Sequence, residues 1–184
     1  MVDVLQQNEA LPANYPEVPT SLSANAAALD TDALWARIEE YTAHRFTDRE
    51  VIWVFEGQEG ELWKPNLTPL TSQTAEKWES EAWVSVNLQS SPIGFCLPSD
   101  GVFRITGQVG AGPVPASVSE AFRRLAEYSV EISSDGMVSG HAAHATHDVD
   151  IGGVKETFSR SQAWAARALQ LSGAADLLRS YRRV

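Results

Sequence analysis

Between Leu34 and Phe46 the apolar residues recur at three- and four-residue steps. Leu34, Ile38 and Tyr41 form one stripe, with Trp35, Thr42 and Phe46 beside it, which predicts a helix over about 31 to 46. Asp30 or Thr31 can accept its first free N–H groups, and Asp32 suits the positive end of its dipole. The Ala-rich stretch 24–29 either extends this helix upstream or makes its own turn. The period then changes. Val51-Ile52-Trp53-Val54-Phe55 is a β-branched and aromatic run ending at Gly57, and Glu61-Leu62-Trp63 follows it before Pro65, which predicts a hairpin. Alternation over Ala82 to Leu88, then Ile93 to Leu97 and Val102 to Thr106, with turn residues between, predicts further strands of a small antiparallel sheet. After the Gly- and Pro-rich stretch 107–115 the helical period returns. Val118, Phe122, Leu125 and Tyr128 to Ile132 predict a helix over about 115 to 132, with Pro115 in its first turn. Residues 133–154 read as a loop. Ala163 to Leu171 and Ala174 to Tyr181 read as closing helices separated at Ser172-Gly173.

The expected fold class is therefore α+β: a mainly helical bundle interrupted by a small antiparallel β insertion at about 50–107, ending in a C-terminal helix or tail. Residues 1–29, with Pro12, Pro16 and Pro19 and few large apolar groups, read as an extended or disordered arm. The remaining 30–184 read as one domain, and a chain of 184 residues can bury about 70% of its unfolded surface without disulfides or metals. No run approaches the ~20 apolar residues needed to cross a bilayer. The opening residues lack a basic region followed by an apolar one, so no secretory signal is expected. The single Cys96 can form no internal disulfide.

Charge is unevenly distributed. Residues 1–92 carry 15 acidic and 5 basic side chains, whereas 93–184 carry 9 of each, for a net −10 overall. Over residues 160–184 the sign reverses, with Arg160, Arg167, Arg179, Arg182 and Arg183 against Asp176. A net −10 argues against sequence-independent DNA binding, which depends on cations displacing the counterions of phosphate.

Candidate chemistry is sparse. His141, His144 and His147, with Asp148 and Asp150 close behind, could together satisfy a first-row metal, as in a metal-binding protein or metal-dependent hydrolase. The three-residue spacing aligns those imidazoles only on a helix, and Gly140, Gly152 and Gly153 argue for a loop, so a polar loop is the simpler reading. Gly107 to Gly112 lacks the Lys-Ser/Thr of a phosphate loop and runs into Pro113. There is no Gly-x-Ser-x-Gly elbow, Cys96 sits in a strand with no His nearby in sequence, and Glu39-Glu40 and Glu79/Glu81 are acidic pairs of a kind that helix and edge-strand surfaces routinely carry, from which no catalytic dyad can be chosen. Trp35 and Trp164 fall on helical stripes and read as core. Trp53, Trp63, Trp78 and Trp83 gather around the sheet and could pack its face, form an interface, or serve a small-ligand-binding β module.

Three landmarks resemble one family. Ile38-Glu39-Glu40-Tyr41-Thr42-Ala43-His44-Arg45-Phe46 runs at once into Arg49-Glu50-Val51-Ile52-Trp53. Phe103-Arg104-Ile105-Thr106-Gly107 leads through Gly112 into Val114-Pro115-Ala116. The chain closes with Leu177-Leu178-Arg179-Ser180-Tyr181-Arg182-Arg183. In order and spacing these resemble the head-to-tail adaptor (connector) proteins of long-tailed bacteriophages and gene-transfer agents, over about residues 30 to 184. The Pro-rich lead and the His-rich segment have no counterpart in that pattern.

The resemblance implies a non-enzymatic virion protein without cofactor, made in the host cytoplasm and built into the neck as a homo-oligomeric ring, usually a dodecamer. It implies a ring bound to the portal ring, contacting a stopper or tail terminator below, with DNA passing through its centre during genome ejection without sequence-specific binding and with no membrane contact. It also implies that the C-terminal segment 174–184 docks into the portal through Leu177, Leu178, Arg179, Tyr181, Arg182 and Arg183. The charge split suits that role, since a basic tail can pair with an acidic partner while an acidic body repels duplex phosphate.

Overall fold

The computed structural model describes residues 2–134, 146–151, 154–159 and 167–182. The chain forms two compact units, one built from Met1–Pro16 and Ala43–Pro113, the other from Glu17–Thr42 and Val114–Val184.

The first unit is all sheet. Its strands are β1 (Asp3–Glu9), β2 (Arg49–Gly57), β3 (Leu62–Trp63), β4 (Leu70–Glu79), β5 (Ala82–Ser85), β6 (Gln89–Ser91), β7 (Gly94–Cys96) and β8 (Gly101–Val109). Five of them make an antiparallel sheet in the order β1-β2-β8-β4-β5, and the other three make a smaller one in the order β3-β7-β6. The alternation along β2 buries Arg49, Val51, Trp53, Phe55 and Gly57 on one face, and β8 does the same with Phe103, Ile105, Gly107 and Val109. The three-stranded sheet closes over this face. Trp63 of β3 stacks on Phe55 with ring centroids 5.4 Å apart and meets Trp53 edge-on at the same distance. Leu67, Leu88 and Leu97 complete the core.

The second unit carries the helices: α1 (Ala24–Ala27), α2 (Thr31–Thr42), α3 (Ala116–Ser134), α4 (Ala168–Leu171) and α5 (Ala174–Leu177), followed by a 3-10 turn at Arg179–Tyr181. It also holds the antiparallel pair β9 (Thr146–Ile151) and β10 (Val154–Ser159). Asp30 Oδ1 caps α2 by accepting from the Ala33 N–H at 3.1 Å. Most of the stripe predicted from the sequence is buried: Leu34 and Ile38 on α2, with Trp35 beside them, face Val118, Ala121, Phe122 and Leu125 on α3, and Trp35 stacks on Phe122 at 4.6 Å, whereas Tyr41 is half-buried and Glu39 is enclosed. Ser23 caps α1 and donates its N–H and hydroxyl to the Glu127 carboxylate at 2.7 and 2.8 Å, which ties α1 to α3.

This architecture corrects the expectation of a mainly helical bundle with a small β insertion. Among the described residues more lie in strands than in helices, and three of the five α-helices are four residues long. The strand content was hidden because two strands of the large sheet are polar. β1 exposes almost every side chain, and along β4 only Ala75 is buried, so backbone pairing and not an apolar period holds them in place. The predicted hairpin of β2 with β3 is also replaced, since β2 lies between β1 and β8 while the two-residue β3 pairs with β7. Part of the expected loop 133–154 is strand: Thr146, Asp148 and Asp150 alternate with His147, Val149 and Ile151, a two-residue period.

Candidate docking surface

The C-terminal residues divide by exposure. Gly173 takes φ +74°, a left-handed conformation open to glycine, and so separates α4 from α5 and turns the chain back. Ala174 and Leu178 are then fully buried, and α5 packs chiefly on α3. Arg179, Ser180 and Arg182 are exposed, whereas Leu177 and Tyr181 are half-buried. Arg182 does not hang free: its guanidinium lies 4.9 Å from the ring centre of Tyr41 on α2, and its Nη1 donates to Tyr41 Oη at 3.4 Å. The residues implied as docking groups thus fall into two sets. Leu178 serves the unit's own interior, and Arg179 and Arg182 project from it on a short, tied-down turn. Arg183 lies outside the described residues.

On α3 a second basic group is paired within its own helix. Arg123 and Arg124 both donate to Glu120, at 2.7–2.9 Å. Those hydrogen bonds, first from Arg123 and then from Arg124, hold the Glu120 carboxyl down at about 2. The Glu127 carboxyl is likewise lowered, first by the backbone N–H of Ser23 and then by its hydroxyl.

The first unit holds a buried ion cluster that sequence reasoning missed. Arg45 and Arg49, 3% and 7% exposed, converge on Glu9 at the end of β1. Arg45 Nε and Nη2 donate to the two carboxylate oxygens at 2.5 and 2.8 Å, and Arg49 Nη1 donates at 3.1 Å. Burial would raise the Glu9 carboxyl, but the two guanidiniums outweigh it and hold it below the usual carboxylate range. The partners are 36 and 40 residues apart in sequence, so no local spacing announces them.

His141 and His144 lie outside the described residues, and His147 stands opposite Phe158 in the β9–β10 register. Among the described residues no group of three or more His, Cys, Asp or Glu side chains is arranged to hold a metal ion. The glycine run is a backbone crossing: Gly110 sits at φ +86°, its N–H donates to Pro69 O at 3.0 Å, and a Cβ there would lie 2.1 Å from Thr47 O. Cys96 is half-buried in β7. The four tryptophans of the sheet unit separate, with Trp53 and Trp63 in the core and Trp78 and Trp83 together on the β4–β5 hairpin, where Trp78 is 44% exposed. No described helix is long and apolar enough to cross a membrane.

No family model matches the chain, and no curated protein is similar to it. Solved structures are. The chain is similar to a chain in the neck of a native GTA particle computed with C12 symmetry, with 16% sequence identity and a TM-score of 0.50 over 98% of this chain and 96% of that one. It is also similar to a chain in the virion of a native gene transfer agent (GTA) particle, with 15% identity and a TM-score of 0.51 over the same shares. At this identity the likeness shows a common fold, and it agrees with the resemblance to head-to-tail adaptors read from the sequence.

Proposed function

We propose that this chain is a structural, non-enzymatic protein of the virion neck: one subunit of a head-to-tail adaptor ring that binds the portal and joins the capsid to the tail around the DNA channel. The observation that carries the reading is the likeness over nearly the whole length of both chains to a neck chain of a gene transfer agent, with both the sheet and the helical unit included. The ring is taken as twelve copies, the symmetry stated for that neck. Docking falls to the projecting face of the C-terminal turn, Arg179 and Arg182 with the half-buried Leu177 and Tyr181, while Leu178 anchors the turn from within. Neighbouring acidic groups on the portal would be its counterpart. The first unit carries 11 acidic against 5 basic side chains, and such a surface around the channel lets duplex DNA slide. Stopper and tail-terminator proteins follow below the ring.

The test uses charge reversal on the exposed side chains and not truncation, because removing residues 174–184 would also strip Ala174 and Leu178 from the interior. Arg179→Glu with Arg182→Glu should leave a folded protein that no longer joins purified portal rings, and the wild-type association should weaken as salt rises, since exposed charges are screened within about 8–10 Å. Undiminished binding of the double variant would refute the docking assignment. Failure of the wild type to join the portal at any salt would refute the adaptor reading itself.

A further inference from the structure

The five-stranded sheet ends in two edge strands, β1 on one side and β5 on the other, each paired on its inner side alone, and among the described residues no strand covers either outer edge. An open edge is a template for pairing unless it is blocked. Hydrogen-bond phase fixes which backbone groups are free. The Val86 N–H donates to Ala75 O, and Ser80 and Glu81, both at positive φ, form a two-residue turn, so Ala82, Val84 and Val86 face β4 while Trp83 and Ser85 turn their N–H and C=O outward. On β1 the Ala10 N–H donates to Glu50 O, which places Asn8 and Gln6 toward β2 and leaves Gln7 and Glu9 facing out. On each edge these outward residues lie two positions apart, the period of a strand.

The apolar pattern runs between the same edges. Val4, Phe55, Phe103, Lys77 and Val84 stand side by side across the sheet, with Phe55 and Phe103 fully buried and the two end valines 47% and 44% exposed. Leu5, at the bulge in β1, is 56% exposed. The β5 edge is stiff, because Trp83 packs edge-on against Trp78 at 5.1 Å and under the Arg104 guanidinium at 4.5 Å, and Arg104 is itself paired with Glu76 at 2.6 Å. Finally, strand direction matches. Every neighbouring pair in the sheet is antiparallel, so its first and fifth strands run the same way.

We infer that the occupant of each edge is the opposite edge of a second copy: β5 of one subunit pairs with β1 of the next. The join is heterologous, the kind that closes into a ring, and a rotation of about 30° per copy in a twelve-fold ring leaves strand direction almost unchanged, so the new pair is parallel. It satisfies both open edges with one contact and brings the Val84 end of one row beside Val4 and Leu5 of the neighbour. This rests on the ring proposed above but adds the surface that closes it.

The test blocks each edge separately in the full chain. Ser85→Pro removes an outward N–H without touching the β4 ladder, and Val84→Lys places a charge on the same edge as a second variant. Val4→Lys with Leu5→Lys blocks the other edge. With wild-type rings first established on portal by electron microscopy, native mass spectrometry of each folded single-edge variant should show complete loss of rings. Mixing a β5-blocked with a β1-blocked variant should give one-to-one heterodimers that stop there, because one good edge of each kind remains. If the blocked variants still close rings, or the mixture gives no heterodimer, the edge join is overturned while the ring stands. If the wild type forms no ring even on portal, ring and join fall together.

Discussion

Replacing Glu9 by Gln removes the carboxylate on which two buried guanidiniums converge and which fastens the end of an edge strand. Arg45 and Arg49 are almost fully enclosed, whereas the Glu9 side chain is 20% exposed. Removing one member of a fully buried pair costs about 3–5 kcal/mol. Because Glu9 keeps some solvent and both arginines have further partners, the expected loss here is nearer 2–3 kcal/mol. At about 2–4 °C per kcal/mol for a chain of this size, Tm of the transition involving the sheet unit should fall by roughly 4–12 °C at pH 7. The pH dependence fixes the cause. The folded carboxyl lies below its ordinary value, so its stabilisation is complete above the unfolded value of about 4.5 and is lost as pH falls through the folded one. The wild type should therefore converge on the variant in acid. Thermal unfolding followed by tryptophan fluorescence from pH 7 down to pH 3 measures both. A difference that stays constant across that range, or none at pH 7, would refute the assignment of the stabilisation to this ion cluster.

Other outcomes follow from the same structure. Leu178→Ala should destabilise the helical unit by about 2–5 kcal/mol in urea unfolding, as for a large apolar side chain cut from a packed interior, whereas Arg179→Ala should change stability by no more than about 0.5 kcal/mol. Gly110→Ala should cost more than about 2 kcal/mol in the same assay, since it meets both a left-handed φ and the Thr47 carbonyl. Glu127→Gln should weaken the hold on Ser23 and raise hydrogen exchange at Ala24–Ala27, leaving the amides of β2 and β8 unchanged.

The sequence made legible those elements whose side chains alternate between core and solvent. The α2 and α3 stripes, β2 and β8 each bury one face, and their period survives in the residue order. β1 and β4 carry no such signal. β1 is held by β2, and one side of β4 by β8, across tens of residues, and a polar strand at or near an edge looks like a loop until its partners are placed. Nearness in sequence suggests a hairpin of β2 with β3, whereas burial of Trp63 against Phe55 draws β3 into the second sheet. At the docking surface the basic reversal and the Leu-Leu-x-x-Tyr-Arg ending were visible, but which leucine turns inward was not. Leu177 and Leu178 are chemically alike, and only the turn at Gly173 decides that Leu178 is the buried one. The Glu9 cluster needed three segments of the chain in one place.

As a neck subunit, this chain would be a stoichiometric component of every tailed particle. Quantitative mass spectrometry of purified, DNA-filled tailed particles tests it most directly by counting this protein against the portal protein. Equal copy numbers of the two are expected. Its absence from intact tailed particles would contradict the claim.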